Sequence, residues 1–302
     1  MRCIPLAVLL TSIAQAQPPA AALDKESFRI SMDVDWVMLQ ASVHDRGGHR
    51  VAKLRQQDFD VFEDGKPQQI RLFRQEDTPV TVGLVIDHSG SMREKLAEVT
   101  VAARAFVHSS NANDQMFVVN FNEHVSSGLP VGMHFSDSAE QLGDAIWSEQ
   151  ARGTTALYDA VIDSLERLRK GTSDKKVLLI ISDGGDNASK ARLEQVLKMT
   201  EQSNATIYAI GIFGADDSDK NPRVLSRVAR ESGGEAFFPH RLEETVQICQ
   251  RIARDIREQY TIGYVSPKNR DGEYHKVRLA ARPQGGERVS VRTRAGYSTA
   301  AK

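Results

Sequence analysis

The length, composition and charge of the chain limit the classes of protein to which it can belong. It has 302 residues, of which 40% are hydrophobic and 26% are charged, and its formal net charge at pH 7 is -1. This balance is typical of a globular protein and excludes a disordered or collagen-like chain. The near-neutral charge does not indicate a nucleic-acid-binding protein. After the N-terminus no apolar run is long enough for a transmembrane span.

The first residues have the pattern of a secretory signal peptide. Arg2 supplies a positive charge, residues 4–13 form a short and mostly apolar core, and Ala14-Gln15-Ala16 fits the small-x-small cleavage motif. We therefore predict a signal peptide over residues 1–16 and a mature protein that is secreted, periplasmic or held in the cell envelope. A buried N-terminal helix is the alternative, which Pro18-Pro19 disfavours because proline interrupts a helix.

The two cysteines agree with this interpretation. Cys3 lies inside the predicted signal peptide, so the mature chain keeps Cys249 alone and has no internal disulfide. Cys249 lies among Leu242, Val246 and Ile252 at roughly helical spacing, which predicts a buried small apolar side chain. A reactive or intermolecular thiol is the alternative.

The segment after the signal peptide, residues 27–76, has the patterns of β-strands. Apolar and polar residues alternate first in one phase and then, from Val37, in the other, which predicts a half-buried strand with a bulge or break. A hairpin is predicted around the Asp64-Gly65 turn, with Phe59-Asp60-Val61-Phe62 before it and Ile70-Arg71-Leu72 after it.

Residues 78–259 alternate between predicted strands and helices. Four nearly continuous apolar runs, at residues 80–86, 116–119, 177–181 and 207–212, fit strands that are covered on both faces, as in a parallel sheet. Between them, apolar stripes with helical spacing are formed by Leu96, Val99, Ala103 and Phe106, by Leu157, Val161, Leu165 and Leu168, and by Leu193, Val196, Leu197 and Thr200. The alternation predicts an α/β fold with a doubly wound, mostly parallel sheet.

The last segment, residues 260–297, returns to β-strand patterns. Val277 and Leu279 face one side and basic residues face the other, which predicts a basic outer face that is either solvated or binds a polyanion. Neither terminal segment has enough strands for a core of its own. We therefore predict that residues 27–76 and 260–297 pair into a small β-sandwich, into which the α/β domain, residues 78–259, is inserted.

The motif Asp-x-Ser-x-Ser, formed by Asp87, Ser89 and Ser91, predicts a metal site. It follows a buried strand, and ligands gather at the carboxyl ends of the strands in an open α/β sheet. Alternate residues of the loop can face one point, and Gly90 permits a tight turn. Carboxylate and hydroxyl oxygens suit Mg²⁺, Mn²⁺ or Ca²⁺ rather than Zn²⁺. The alternative is that Asp87 or Ser91 only caps the next helix.

Two later segments place further oxygen atoms near the same edge of the sheet. Gly153-Thr154-Thr155 precedes a predicted helix, and Asp183 directly follows the strand of residues 178–182. Asp183 would bind the cation directly or through water. Because these segments converge from distant parts of the chain, they strengthen the prediction.

With these segments in order, the chain resembles the von Willebrand factor type A domain family. The resemblance rests on Asp87-His88-Ser89-Gly90-Ser91, Gly153-Thr154-Thr155-Ala156-Leu157 and Ile181-Ser182-Asp183-Gly184, and it covers about residues 78–259. It implies a Rossmann-like domain with a metal-ion-dependent adhesion site, whose ion accepts an aspartate or glutamate of a partner protein. The flanking segments are similar to those of exported bacterial proteins of this family that are common in Acidobacteria.

The resemblance also implies which residues bind the ion. Asp87, Ser89 and Ser91 match the first loop of the family's site, and Asp183 matches the third. The family's second loop usually reads Gly-Gly-Thr, so alignment on the following alanine and leucine makes Thr155 the ligand. The neighbouring Thr154 is then in the place of a glycine and is the alternative ligand.

Catalysis is a less favoured function. Asp87-His88-Ser89 has the residue types of a hydrolase triad, but triad members converge from separate segments. The chain has no Gly-x-Ser-x-Gly elbow and no Walker-type loop. His88 is expected to be exposed in the loop, and Asp186 and Asn187 either support the metal ligands or form a simple turn.

The sequence therefore predicts a metal-dependent protein-binding module that has no catalytic residues and does not bind nucleic acid. A structural component of the cell envelope, which would use the β-sandwich as its contact surface, is the alternative.

Overall fold

A computed structural model gives the fold of residues 36–75, 77–214, 219–267 and 272–298. The predicted signal peptide, residues 1–16, lies outside these described residues, as does the part of the first predicted strand before Trp36. Within the described ranges, no helix combines the length and the apolar character that crossing a membrane requires.

The described residues form three sheets and six helices. The strands are β1 (Trp36–His44), β2 (Phe59–Glu63), β3 (Lys66–Gln68), β4 (Leu72–Arg74), β5 (Val80–Asp87), β6 (Gln115–Phe121), β7 (Val125–Ser127), β8 (Lys175–Ser182), β9 (Ala205–Gly211), β10 (Ala236–Phe237), β11 (Tyr260–Val265), β12 (Tyr274–Ala281), β13 (Ser290–Arg292) and β14 (Gly296–Ser298). The helices are α1 (Leu96–His108), α2 (Ala139–Trp147), α3 (Leu157–Leu168), α4 (Leu193–Gln202), α5 (Pro222–Glu231) and α6 (Glu244–Glu258).

The central sheet has the strand order β10-β9-β8-β5-β6-β7. All neighbouring strands are parallel except β7, which pairs with β6 in the antiparallel direction at the edge. Every residue of β5 is buried, as expected for a strand that is covered on both faces. The predicted mostly parallel sheet is confirmed.

Helices flank this sheet in two groups. Helix α1 packs against both α2 and α6, and in the second group α4 packs against both α3 and α5. The apolar stripes predicted from helical spacing lie on α1, α3 and α4, and the residues of these stripes are buried apart from the half-buried Leu193. Cys249 on α6 is also fully buried, as predicted.

The N-terminal and C-terminal segments pair into two antiparallel sheets. One has the order β13-β1-β11-β4, and the other has the order β14-β12-β2-β3. Their facing apolar side chains form one shared core, which includes Leu39, Phe59, Tyr260, Ile262 and Leu279. This arrangement confirms the predicted β-sandwich, which is formed by the segments before and after the α/β domain in the sequence.

The predicted hairpin is correct at its turn but wrong in its second strand. Asp64 and Gly65 both have positive φ angles, as a tight two-residue hairpin requires. The returning strand is β3, directly after the turn, rather than the predicted Ile70-Arg71-Leu72. Leu72 belongs to β4, which pairs with β11 in the other sheet. The chain therefore crosses between the sheets after a very short hairpin.

The predicted basic outer face is only partly present. Arg278 and Arg282 are exposed, but Arg292 lies against Glu235 and Asp255, with which it forms ion pairs. Arg294 is buried and donates hydrogen bonds to backbone and side-chain oxygens of the α/β domain. These two arginines stabilise the contact between the β-sandwich and the α/β domain instead of facing solvent.

Asp255 on α6 is the centre of the polar contacts between the two layers. Its carboxylate accepts hydrogen bonds from Ser42 (3.2 Å), Arg50 (2.8 Å), Tyr208 (2.5 Å) and Arg292 (2.5 Å). Ser42 lies on β1 and Arg292 on β13, whereas Tyr208 lies on β9 of the central sheet. One carboxylate therefore joins the sandwich, the last helix and the parallel sheet.

The strand order also defines where a ligand site can form. After β5 the chain adds β6 on one side of it, and later β8 on the other side. At such a change of direction, the loops at the carboxyl ends of the neighbouring strands diverge and leave a crevice. In this sheet the crevice lies between the ends of β5 and β8.

Candidate metal site

Asp87 ends β5 at this crevice and is held in a fixed orientation. The residue is 0% exposed. One carboxylate oxygen accepts a hydrogen bond from the Ser89 amide (2.8 Å), and the other accepts one from the Ser182 hydroxyl at the end of β8 (2.6 Å). Each oxygen keeps a lone pair that is available to a cation or to its bound water.

Ser89, Ser91 and Asp183 form a continuous chain of polar contacts. The two serine hydroxyls are 3.1 Å apart, and the Ser91 hydroxyl donates to Asp183 at 2.5 Å. The other oxygen of Asp183 accepts a hydrogen bond from the Gly185 amide at 3.0 Å, which turns the carboxylate toward the first loop. The structure thus brings together four of the five predicted residues, although 92 positions separate Ser91 from Asp183.

The second loop is joined to the first loop through the backbone. The Gly90 amide donates to the Gly153 carbonyl (3.1 Å), and the Arg152 amide donates to the His88 carbonyl (2.9 Å). Gly153 has a φ of 72°, where other residues are strained. A Cβ atom there would also overlap the Glu123 carboxylate. Glycine is therefore favoured at this position by its φ angle, and a larger residue would also displace the Glu123 carboxylate, which is the end of a flexible side chain.

The two threonines of the second loop have different surroundings. Thr155 is 5% exposed, and its amide donates to the side chain of Asn187 at 2.8 Å. Thr154 is exposed, and its amide donates to Glu123 at 3.2 Å. No described hydrogen bond joins the Thr155 side chain to Asp183 or to the first loop. The loop contacts bring Thr155 to the crevice, and its burial favours it over Thr154 as the residue that faces inward.

The electrostatics of the site favour a bound cation. The pKa of Asp87 is raised to about 6. Burial is the main cause and the negative charge of Asp183 adds to it, whereas hydrogen bonds from Ser182 and Ser89 oppose the increase. Two carboxylates and two hydroxyls at one point are hard oxygen ligands, which fit Mg²⁺, Mn²⁺ or Ca²⁺. A divalent cation would remove the electrostatic cost of keeping Asp87 ionised in a buried position.

His88 is fully buried, so the expectation of an exposed loop histidine is wrong. Its Nδ1 atom lies 3.1 Å from the Ile86 carbonyl, and its Nε2 atom lies 3.1 Å from the Ile146 carbonyl at the end of α2. Burial lowers the pKa of His88. The ring therefore connects the first loop to α2. The sequence could not indicate this contact, because α2 lies 58 residues away.

Asp186 and Asn187 support the second loop rather than forming a simple turn. Asn187 binds the Thr155 amide through its side-chain oxygen and donates to Asp219 at 2.8 Å through its side-chain nitrogen. Asp186 accepts a hydrogen bond from the amide of Tyr158 in the first turn of α3 (3.1 Å). Ser182 is a further supporting residue that the sequence did not single out, although it directly precedes Asp183 in the third motif.

Comparison with known proteins identifies the same fold. A family model for the von Willebrand factor type A domain matches residues 81–251. A von Willebrand factor type A structure from Catenulispora acidiphila has a TM-score of 0.54 at 14% identity, over 89% of this chain and 75% of that chain.

Two further solved structures have TM-scores of 0.50. The von Willebrand domain of the type V pili tip protein Mfa5 from Porphyromonas gingivalis is 12% identical over 60% of this chain and 95% of that chain. Proximal thread matrix protein 1 from the mussel byssus is 15% identical over 65% of this chain and 51% of that chain. A comparison with curated protein sequences gave no significant match.

Proposed function

Because the chain belongs to the von Willebrand factor type A domain family, we propose that it is a metal-dependent protein-binding module that acts outside the cytoplasm. The structurally similar domain from Porphyromonas gingivalis belongs to a pilus tip protein, which is consistent with a role in protein contacts. The proposal concerns binding rather than catalysis, since both ring nitrogens of the neighbouring His88 face backbone carbonyls and not a serine hydroxyl.

The observation that carries the proposal is the convergence of Ser89, Ser91 and Asp183. The Ser91 hydroxyl is within hydrogen-bonding distance of both the Ser89 hydroxyl and the Asp183 carboxylate. The Asp87 carboxylate accepts a hydrogen bond from the Ser89 amide. Thr155 supplies a further hydroxyl from the second loop. We propose these five residues as the ligands, direct or through water, of Mg²⁺, Mn²⁺ or Ca²⁺.

The bound ion would supply a positive charge with a replaceable coordination position at the surface. If each of the five side chains binds through one oxygen, they supply at most five ligands, whereas such an ion takes about six or more, so a position remains for the oxygen of a further carboxylate. We propose that an aspartate or glutamate of a partner protein occupies this position. The first and second loops, which the Gly90–Gly153 hydrogen bond holds together, would then contact the rest of the partner.

The location outside the cytoplasm is supported by the pattern of residues 1–16, which we propose as a cleaved signal peptide. We further propose that residues 78–259 are the binding domain and that residues 27–76 and 260–297 form its supporting sandwich. In this division the metal site lies on the α/β domain and not on the sandwich.

Metal binding is tested with Asp87→Ala and Ser91→Ala. Each variant removes an oxygen at the point of convergence, so we expect Mg²⁺ binding, measured by isothermal titration calorimetry, to be lost in both. Asp144→Ala is the matched control, since that carboxylate is exposed and forms only a surface pair with Arg104. Unchanged Mg²⁺ affinity in the Asp87 and Ser91 variants would show that the proposed function is wrong.

Partner binding is tested by capture from the native cell envelope. We expect a protein that is retained with Mg²⁺, released by EDTA and not retained by Asp87→Ala. Capture that survives both EDTA and this substitution would favour the β-sandwich as the contact surface instead.

A further inference from the structure

The core of the β-sandwich becomes polar at one end. Along β2, Phe59, Val61 and Glu63 occupy successive core-facing positions, and along β12 His275 shares the buried face with Val277. Glu63 and His275 are each 1% exposed. Strand alternation would place apolar residues at both positions. A buried carboxylate and a buried imidazole there are costly unless a specific interaction compensates for their lost hydration.

Glu63 is surrounded by neutral hydrogen-bond donors. Its two carboxylate oxygens accept hydrogen bonds from the Ser266 hydroxyl (2.8 Å) and the Tyr297 hydroxyl (3.1 Å). Within the described part of the chain, no lysine or arginine forms an ion pair with this carboxylate. The Glu63 carboxyl group is therefore hydrogen-bonded but has no cationic partner among the described residues.

The hairpin turn brings a second carboxylate to the same end of the sandwich. Consecutive strand residues normally point to opposite faces. Asp64 has a φ of 48°, which ends this alternation directly after Glu63. One oxygen of Asp64 accepts a hydrogen bond from the Lys276 amide (3.0 Å), and the other lies 3.1 Å from His275 Nδ1. Glu63, Asp64 and His275 each have one potential metal-ligand atom, and these three atoms lie within 4.8 Å of one another.

One buried nitrogen at this end, His275 Nε2, forms no hydrogen bond in the described structure. The Tyr264 hydroxyl, on β11 of the opposite sheet, is also buried and lies near the Glu63 carboxylate. Buried polar groups without partners are rare in folded proteins, and an unfilled ion or water site is a common reason for them.

We propose that Glu63, Asp64 and His275 bind a divalent transition-metal ion of the Zn²⁺ class in the β-sandwich. An imidazole nitrogen with two carboxylate oxygens is a typical ligand set for Zn²⁺, in contrast to the all-oxygen set at the end of β5. The ion neutralises Glu63, beside which the Tyr264 hydroxyl lies. Asp64 is exposed, so the ion enters from solvent at the turn.

This site is independent of the proposed function, because its ligands lie on β2, the adjacent turn and β12. A chain that binds Zn²⁺ here and Mg²⁺ at the α/β domain would hold two ions of different chemistry. The Zn²⁺ would stabilise the sandwich by connecting the hairpin of β2 and β3 to β12.

The test is a Zn²⁺ titration against a competing chromophoric chelator, in an Asp87→Ala background that removes the other site. We expect one tight Zn²⁺ per chain. Its affinity should fall at least about 100-fold in Asp64→Asn and in His275→Gln, since the loss of supporting partners alone costs about 10- to 100-fold. His49→Gln is the matched control, because it removes an exposed histidine that lies 3.3 Å from Asp45.

Two results would overturn the proposal. One is equal Zn²⁺ affinity with and without Asp64→Asn. The other is loss of the tight Zn²⁺ in His49→Gln, which would assign the metal to the surface. If His275→Gln does not fold, the exposed Asp64→Asn decides the question. A Zn²⁺-dependent increase in Tm in the Asp87→Ala protein, absent after the additional Asp64→Asn change, is the second readout.

Discussion

At the scale of single residues, burial shifts two charged side chains in opposite directions. Asp87 has its pKa raised to about 6, whereas Lys175 at the start of β8 has its pKa lowered to about 8. Lys175 is 2% exposed, and its ammonium donates to the Ile256 carbonyl at 2.9 Å near the end of α6. A helix C-terminus favours a positive charge, but the lost hydration of the ammonium is the larger effect.

Lys175 predicts a stability change at alkaline pH. Its ordinary pKa is 10.5, so between about pH 8 and pH 10.5 the unfolded chain binds more protons than the folded chain. Stability therefore increases with pH in this window. We expect the free energy of unfolding of the wild type, relative to Lys175→Met, to increase by about 2 to 3 kcal/mol across it.

The measurement is urea unfolding at several pH values between 7.5 and 11. Lys198→Met is the control, because Lys198 is exposed on α4 and its loss should leave the pH dependence of the wild type unchanged. Parallel curves for the wild type and Lys175→Met would contradict the prediction.

Residues of the candidate site could be identified from the sequence where their side chains are of a type that binds cations. Asp87, Ser89, Ser91 and Asp183 have side-chain oxygens at strand ends, and the structure brings them together. His88 was not predictable, since its burial depends on the end of α2 and not on its own neighbours in the chain.

At the scale of elements, the strands of the central sheet were the most predictable. A fully buried strand needs apolar side chains on both faces, so β5, β6, β8 and β9 appear as continuous apolar runs. Helices α2 and α5 were not predicted, although Asn221 and Pro222 are a typical start for a helix such as α5. The hairpin strand β3 has only three residues, which is too short for a periodic pattern.

The second loop of the metal site provides a prediction at this scale. Gly153→Ala places a Cβ atom against the Glu123 carboxylate and strains a backbone with a φ of 72°. We expect a loss of about 1 to 3 kcal/mol of stability. Because Gly153 accepts the hydrogen bond from Gly90, we also expect Mg²⁺ affinity to fall about tenfold or more.

Gly132→Ala separates these two effects. Gly132 has a φ of 89°, but no atom lies near the position of an added Cβ. Its substitution should reduce stability through backbone strain and leave Mg²⁺ affinity unchanged in calorimetry. Similar Mg²⁺ affinities for Gly153→Ala and Gly132→Ala would mean that the second loop does not position a metal ligand.

At the scale of the whole molecule, the α/β domain and the sandwich share a network of buried charges. The Asp255 carboxylate on α6 pairs with Arg50 next to β1 and with Arg292 on β13. Arg292 also pairs with Glu235, which precedes β10. Removal of one partner from such a network leaves the others charged and poorly hydrated.

Asp255→Ala should therefore destabilise the whole chain. We expect its free energy of unfolding to fall by about 1 to 3 kcal/mol, because Arg50 and Arg292 each lose one of two carboxylate partners and the buried Tyr208 hydroxyl loses its acceptor. Asp144→Ala removes a carboxylate that forms an exposed pair, and we expect a change of less than about 1 kcal/mol. Urea unfolding monitored by circular dichroism measures both. Similar losses in the two variants would show that the network does not couple the layers.

The sequence by itself determined the features that depend on local pattern. Apolar runs and helical stripes predicted the parallel sheet, alternation in the terminal segments predicted the sandwich, and Asp-x-Ser-x-Ser at a strand end indicated side-chain oxygens that meet at the end of β5. Each of these signals is contained in a short stretch of chain, where the periodicity of strands and helices is visible.

Only the tertiary structure decided which polar side chains are buried and what they contact. It placed His88 against α2, turned Arg292 and Arg294 inward, and brought His275 to Glu63 and Asp64 across more than 200 residues. The physical reason is that burial and hydrogen bonding depend on segments that are distant in sequence. A polar residue in a strand has the same local pattern whether it faces water or the core.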